Sequence, residues 1–216
     1  MKNQRTQFGW VLALTSLGFF MAMMDSMIVT TAATAIRADF QISVANLQWA
    51  LNAYNVAIAA TLLAGVAWGE RLGRRRVYNS GLFIFTIGSV LCALANQMPL
   101  LIAARVVEGI GASVMTPMSM AILTNAVPAT KRGQALGIWS GIGGLALIIG
   151  PALGGFIVAK LTWQWIFWIN VPLGLAVIEL SRRHLPESTG MAEPINILDV
   201  GLSIITMTAI IWAVSA

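Results

Sequence analysis

The stretch FGWVLALTSLGFFMAMMDSMIVTTAATAI, residues 8–36, decides the fold class of this chain. Apart from Asp25, it contains only apolar, small or hydroxylated side chains. At 1.5 Å per residue, a helix of this length crosses the roughly 30 Å of hydrocarbon in a bilayer. A carboxylate at that depth is costly unless it faces a partner or water, so such groups usually have a function. Residues 8–36 therefore predict a membrane span with a functional acid near its middle.

The composition of the whole chain agrees with a membrane protein. Hydrophobic residues make up 58% of the sequence and charged residues 10%, whereas a soluble domain carries about 25% charged residues. Cys92 and His184 are the only cysteine and the only histidine, too few to build a zinc or iron site. We therefore expect no metal and no cofactor. The spans also carry no nucleophile–base pair, which argues against an enzyme.

Further apolar stretches predict an all-α membrane protein with six complete spans. The predicted spans are residues 8–36, 45–69, 77–97, 99–125, 134–159 and 165–181. A seventh apolar stretch begins near Ile197 and runs to Ala216. The chain is thus predicted to contain a six-span bundle (1–181), a cytoplasmic connector (182–196) and a truncated seventh transmembrane helix (197–216).

The basic residues predict the orientation of the spans. With the N-terminus in the cytoplasm, the inner segments contain these basic residues: Lys2, Arg5, Arg71, Arg74, Arg75, Arg76, Lys131, Arg132, Arg182 and Arg183. The outer loops contain Arg37 and Lys160. Because positive charge accumulates in cytoplasmic loops, we expect a multi-pass protein of the cytoplasmic (inner) cell membrane. The same distribution accounts for the net charge of +5 and argues against binding to nucleic acid.

Two further charges, Arg105 and Glu108, lie inside the predicted fourth span. Their i, i+3 spacing places them on one helical face. Counted from the span centres, Asp25 lies roughly 5 Å, Glu108 roughly 6 Å and Arg105 roughly 10 Å outward of the midplane. We therefore expect the three groups to share one layer. The alternative is that Arg105 and Glu108 only neutralise each other as a structural pair.

The predicted fifth span is rich in glycine. Ala146, Gly150 and Gly154 recur every four residues, which gives one side of a helix a flat surface for close packing. Pro151 removes a backbone donor and is expected to bend the helix. This pattern predicts a helix that both packs tightly and flexes.

A short basic loop, GERLGRRR at residues 69–76, joins the second and third spans. Its simplest interpretation is a cytoplasmic hairpin that fixes topology and touches anionic lipid. Its order of acid, base and glycine also resembles the signature loop of the major facilitator superfamily, Gly-x-Leu-Ala-Asp-Arg-x-Gly-Arg-Arg. Glu70 stands in the place of the family's aspartate, and Val66 in the place of its leading glycine. The matched residues are Gly69, Glu70, Arg71, Gly73, Arg74 and Arg75.

Four other segments resemble motifs of the same family, in the same order. Residues 24–29 (MDSMIV) resemble the acidic first-span motif of drug:proton antiporters. Residues 101–112 (LIAARVVEGIGA) resemble the fourth-span motif, with Arg105 in the place of its proton-coupling arginine. Residues 165–174 (WIFWINVPLG) are similar to the start of the sixth span in the branch with fourteen spans. The antiporter motif of the fifth span is matched by Gly150, Pro151, Gly154 and Gly155.

This resemblance implies the N-terminal six-helix bundle of a major facilitator fold, from a proton-coupled multidrug or organic-cation efflux antiporter. It also implies that Asp25 and Arg105 lie on the face of the bundle towards a central cavity. Asp25 would be the main protonation site, Arg105 would bias its protonation, and Glu108 would be a second acid or cation contact. The implied partners are the proton, a hydrophobic or cationic small molecule, the lipid bilayer and a missing C-terminal half. Two alternatives stay open: a carrier of the same fold for a non-drug solute, and a truncated fragment that transports nothing alone.

Overall fold

The computed structural model describes residues 2–190, and the regular elements in that range are helical. The helices are α1 (Lys2–Phe40), α2 (Val44–Leu72), α3 (Arg74–Ala93), α4 (Met98–Ala126), α5 (Arg132–Lys160), α6 (Trp165–Trp168) and α7 (Asn170–His184). Within the described range, six segments are long and apolar enough to cross a membrane, and α6 with α7 forms the sixth. The prediction of an all-α protein with six spans is therefore confirmed. The predicted helix at 197–216 and the connector beyond residue 190 lie outside the described residues.

The break between α2 and α3 is a single residue, Gly73. Its φ of 104° lies in the left-handed region, which glycine adopts without steric cost. The predicted spans end at residue 69 and begin again at residue 77, whereas α2 continues to Leu72 and α3 begins at Arg74. Glu70 and Arg74 form an ion pair across the turn, at 2.8 Å. The predicted loop is therefore a sharp corner between two continuous helices.

Glycine faces let α3 pack closely on α4. A Cβ atom added to Gly88 would lie 2.6 Å from the Cα atom of Glu108, and one added to Gly81 would lie 2.8 Å from the backbone nitrogen of Met115. Real Cβ atoms do not approach other atoms so closely, so only glycine fits at these positions. This packing brings the backbones of α3 and α4 together beside the charged residues of α4.

The glycine face of α5 packs against α1, as the sequence pattern predicts. A Cβ atom added to Gly150 would lie 2.8 Å from the Cβ atom of Met27, and one added to Gly154 would lie 3.0 Å from Ile28 Cγ1. Gly155 lies on the opposite, exposed side of the helix. α5 continues as one helix through Pro151 to Lys160. Gly150 and Gly154 of the fifth-span motif thus pack α5 against the part of α1 that carries Asp25, whereas Pro151 and Gly155 face outward.

Candidate functional site

The structure brings Asp25, Arg105 and Glu108 into direct contact. Arg105 Nη1 donates to Asp25 Oδ2 at 2.5 Å and to Glu108 Oε2 at 2.6 Å. The arginine side chain is 2% exposed and both carboxylates are 0% exposed. One guanidinium nitrogen therefore serves two buried carboxylates, and the expectation that the three charges share one layer is met.

Two neutral side chains connect the same carboxylates by a second route. Asn170 Nδ2 donates to Asp25 Oδ1 at 3.2 Å and to Ser89 Oγ at 3.1 Å. Ser89 Oγ in turn donates to Glu108 Oε1. These contacts close a ring of five buried side chains, here called the polar ring: Asp25, Arg105, Glu108, Ser89 and Asn170. A change of charge on either acid therefore reaches the other through hydrogen bonds on both sides.

Aromatic rings and a thiol complete the surroundings of the polar ring. The guanidinium carbon of Arg105 lies 4.1 Å from the centre of the Tyr54 ring and 5.9 Å from that of Phe167. The Tyr54 hydroxyl donates to the carbonyl of Ala22 at 3.1 Å, which fixes that ring against α1. Cys92 Sγ lies 3.4 Å from Glu108 Oε2. The Arg105 guanidinium is thus enclosed by protein atoms, and charge interactions are stronger there than in water.

The polar ring lies between two apolar clusters of the bundle. On α1, one cluster includes Val11 to Ala22 and the other includes Ile28 to Ile36, with Asp25 between them. The ring members of α3 and α4 lie where the cluster assignment of each helix changes, and Asn170 lies between Phe167 of one cluster and Val177 of the other. The apolar clusters hold the helices together, and the ring is the polar layer within them.

The charges of the polar ring do not balance when both acids are ionised. Two carboxylates and one guanidinium carry a net charge of −1, and one bound proton makes the group neutral. Among residues 2–190, no further charged side chain forms an ion pair with these three. An uncompensated buried charge is costly, so the fully ionised ring carries an unfavourable net charge.

Two buried polar atoms of the polar ring have no hydrogen-bond partner in the described part of the chain. They are Arg105 Nε and Asn170 Oδ1. Buried polar groups are normally satisfied, so an unpaired one calls for an explanation. Both atoms belong to side chains that bond to Asp25, so the polar ring has unused hydrogen-bonding capacity next to this carboxylate.

One expectation about these residues is wrong. Asp25 and Arg105 were expected on a face that lines a cavity, but both are enclosed by the bundle. The reason is that α3 and α7 cover them, through Ser89 and Asn170. In this conformation, the side chains of Asp25 and Arg105 are therefore closed to solvent.

The basic loop is tied to the segment that follows α7. Glu70 accepts two hydrogen bonds from Arg74, at 2.8 Å each, and the Glu70 carbonyl accepts from Gly190 N at 3.0 Å. Glu187 Oε1 accepts from Arg75 N at 3.0 Å at the start of α3. The structure therefore joins the corner at Gly73 to the chain after the sixth span, through contacts that the loop sequence alone did not show.

Comparison with known proteins places the chain in a family. The model described as Major Facilitator Superfamily matches residues 15–213. The chain belongs to the Major Facilitator Superfamily. Solved structures agree with this at the level of the fold: the inward-open xylose transporter XylE from E. coli matches with a TM-score of 0.71 and 18% identity, over 94% of this chain and 55% of XylE.

Relatives of this superfamily member include carriers that are named for different substrates. It is 37% identical over 177 residues to the riboflavin transporter RibZ of Clostridioides difficile, covering 82% of this chain and 39% of RibZ. It is 34% identical over 212 residues to the multidrug resistance protein Stp of Mycobacterium tuberculosis, covering 97% of this chain and 39% of Stp. The chain thus spans about two fifths of the length of these relatives. The prediction that it is not an enzyme is confirmed by these matches.

Sequence reasoning missed part of the polar ring. Ser89 was not singled out, and Asn170 was noted only within the sixth-span motif, not as a contact of Asp25. Each is a polar residue in an otherwise apolar span, which was the available signal. That signal is weak, because a lone serine or asparagine in a span often bonds to the backbone of its own helix.

Proposed function

We propose that this superfamily member is the N-terminal part of a proton-coupled efflux carrier that exports hydrophobic or cationic molecules. The observation that supports the proposal best is the buried group of two carboxylates on one guanidinium nitrogen, Asp25 and Glu108 on Arg105. Two carboxylates and one guanidinium have a net charge of −1, and binding of one proton makes their net charge zero. The three side chains can therefore alternate between these two states as they bind and release one proton. Such alternation is what a proton-coupled carrier needs.

We assign the exchangeable proton to Asp25. Glu108 accepts hydrogen bonds from Arg105, Ser89 and the weaker donor Cys92, whereas Asp25 accepts from Arg105 and Asn170. Donors to a carboxylate favour its ionised form. In this proposal the more extensively hydrogen-bonded Glu108 keeps Arg105 in place, while Asp25 takes up and releases the proton. The role of Glu108 as a second acid remains the alternative within the same site.

Transport also requires a second helix bundle to enclose the substrate site. In this family a substrate site lies between two bundles that rock against each other, and the described residues form one bundle. The proposed partners are therefore a C-terminal half, the proton, the lipid bilayer and the exported molecule. The basic residues support a cytoplasmic N-terminus in the inner cell membrane. The basic loop, with its corner at Gly73, bonds to residues 187–190 after the sixth span. In this proposal, these contacts couple the loop to movement of the bundle.

The relatives favour two different classes of substrate for the carrier. The name of Stp supports a drug, and the name of RibZ supports a different solute. Stp is named as a multidrug resistance protein, whereas RibZ is named as a riboflavin transporter and is 37% identical. The second candidate function is therefore a carrier of the same fold for a metabolite-like solute. Competition assays in vesicles that contain the whole carrier would separate the two, because an exporter of drugs is inhibited by several unrelated cations and a riboflavin-type carrier by one chemical class.

The test of proton coupling replaces one acid at a time. Asp25→Asn should abolish proton-driven efflux in everted vesicles of the whole carrier, because the amide keeps the shape but cannot titrate, whereas Glu108→Gln should retain part of it. Asp39→Asn is the matched control, since Asp39 is also on α1 but accepts from Trp163 Nε1, at 2.8 Å and away from the polar ring. Unchanged proton-driven efflux in Asp25→Asn would remove Asp25 from the mechanism.

A further inference from the structure

A groove of about 530 Å³ lies between α3 and α7, at the end of the bundle that carries the basic loop. Its lining residues are Arg75, Arg76, Asn79, Ser80, Phe83, Ile84 and Arg182. None of these residues belongs to the polar ring, and only Arg75 and Arg76 belong to the basic loop that the proposed mechanism uses. The function of the groove needs a separate explanation.

The rim of the groove is strongly basic. Arg75 and Arg76 lie 3.5 Å and 3.7 Å from the carboxylate of Glu187, so the two arginines share one acid. Arg182 faces the same groove and forms no ion pair with any residue of the range 2–190. Three guanidinium groups and one carboxylate leave a net charge of about +2 at the rim. Arg76 is 77% exposed, so its guanidinium is available to a ligand.

The lining changes from charged to polar to apolar along α3. One turn after the arginines lie Asn79 and Ser80, and one further turn on lie Phe83 and Ile84. Eight residues of helix separate Arg75 from Phe83, a distance of about 12 Å. Asn79 is held in place by Ser181 Oγ, which donates to Asn79 Oδ1. A ligand that fits this gradient carries an anionic group at one end and a hydrocarbon chain at the other.

The apolar end of the groove opens onto the outer surface of the bundle. Phe83, Ile87 and Leu91 follow one another at i, i+4 and i+8 on α3, and all three are exposed. A stripe of exposed apolar side chains on a membrane-spanning helix faces lipid acyl chains rather than water. A hydrocarbon chain in the groove would therefore continue along Ile87 and Leu91 into the bilayer.

We propose that this groove binds an anionic phospholipid of the cytoplasmic leaflet. The phosphate would contact Arg76 and Arg182, the glycerol and ester groups would lie beside Asn79 and Ser80, and an acyl chain would lie on Phe83. Basic pockets between spans on the cytoplasmic side suit such headgroups. A bound lipid would link α3 to α7, and so the corner at Gly73 to the segment around Glu187. The proposal depends on insertion of the spans in a membrane and not on transport activity.

The test measures lipid binding to the purified chain in detergent after removal of bound lipid. Native mass spectrometry would follow a titration with phosphatidylglycerol, and phosphatidylcholine would serve as the zwitterionic comparison. Arg182→Gln and Arg76→Gln should each weaken phosphatidylglycerol binding roughly fivefold, which corresponds to about 1 kcal/mol. Both positions are exposed, and circular dichroism would check that the helices remain.

The matched control is Arg183→Gln, which removes the same charge from the same helix. Arg183 pairs with Glu179 at 2.6 Å and does not line the groove, so lipid binding should not change. An equal loss in Arg183→Gln would mean only diffuse attraction to a basic surface and would overturn the proposal. Equal affinity for phosphatidylcholine would do so as well. Displacement of the lipid by glycerol phosphate at equal concentration would identify a site for a soluble anion instead.

Discussion

Replacement of Asn170 by alanine tests whether the polar ring is a single titrating unit. The amide donates to Asp25 Oδ1 at 3.2 Å and to Ser89 Oγ at 3.1 Å. A hydrogen bond to a charged group contributes about 1.5–3 kcal/mol. A hydrogen bond to an ionised carboxylate is stronger than one to the neutral acid, so Asn170→Ala should cost more stability in alkaline than in acidic buffer.

The same energy predicts a displacement of the pH profile of transport. If Asn170 acts through Asp25, its removal should displace the pH midpoint of transport, whereas a purely structural role would leave the midpoint in place. Proton-driven efflux in everted vesicles of the whole carrier, measured between acidic and alkaline buffers, would give the midpoint.

The control for this variant is Ser181→Ala. Ser181 Oγ donates to Asn79 Oδ1, so it also connects α7 to α3, but it does not contact an acid. Its removal should cost about 1 kcal/mol of stability at every pH and leave the transport midpoint unchanged. Equal effects of the two variants, with no displacement of the midpoint in Asn170→Ala, would show that Asn170 only holds two helices together.

Three further predictions follow from the same structure. Arg105→Ala should lower the free energy of unfolding by about 3–5 kcal/mol at neutral pH, because two buried carboxylates lose their cation. Thermal unfolding should show a smaller loss in acid, and a pH-independent loss would contradict this. Gly88→Ala should cost about 1–3 kcal/mol by overpacking, whereas Gly141→Ala, which meets open space, should be neutral in the same assay. Residues 1–216 alone should confer no drug resistance; proton-dependent dye efflux above the empty-vector level would refute this.

The sequence by itself determined the spans and the depth of the charges. Hydrophobic runs of sufficient length insert as helices wherever they occur, and Asp25, Arg105 and Glu108 could be placed in one layer by counting residues along each span. The pattern of Ala146, Gly150 and Gly154 predicted a packing face, and α1 lies against it. These properties are local, since they depend on a single helix and the solvent around it.

Only the tertiary structure decided which side chains meet. Asn170 lies 145 positions from Asp25 and 81 from Ser89 in the chain, and both contacts depend on how α7 packs on α1 and α3. The same packing encloses Asp25 and Arg105 instead of leaving them at a cavity. Hydropathy gives the length and depth of a helix but not its rotation or its neighbours, and those are set by glycine contacts such as that of Gly88 with Glu108. The sequence therefore determined which charges share a layer, and helix packing determined that they form a closed ring.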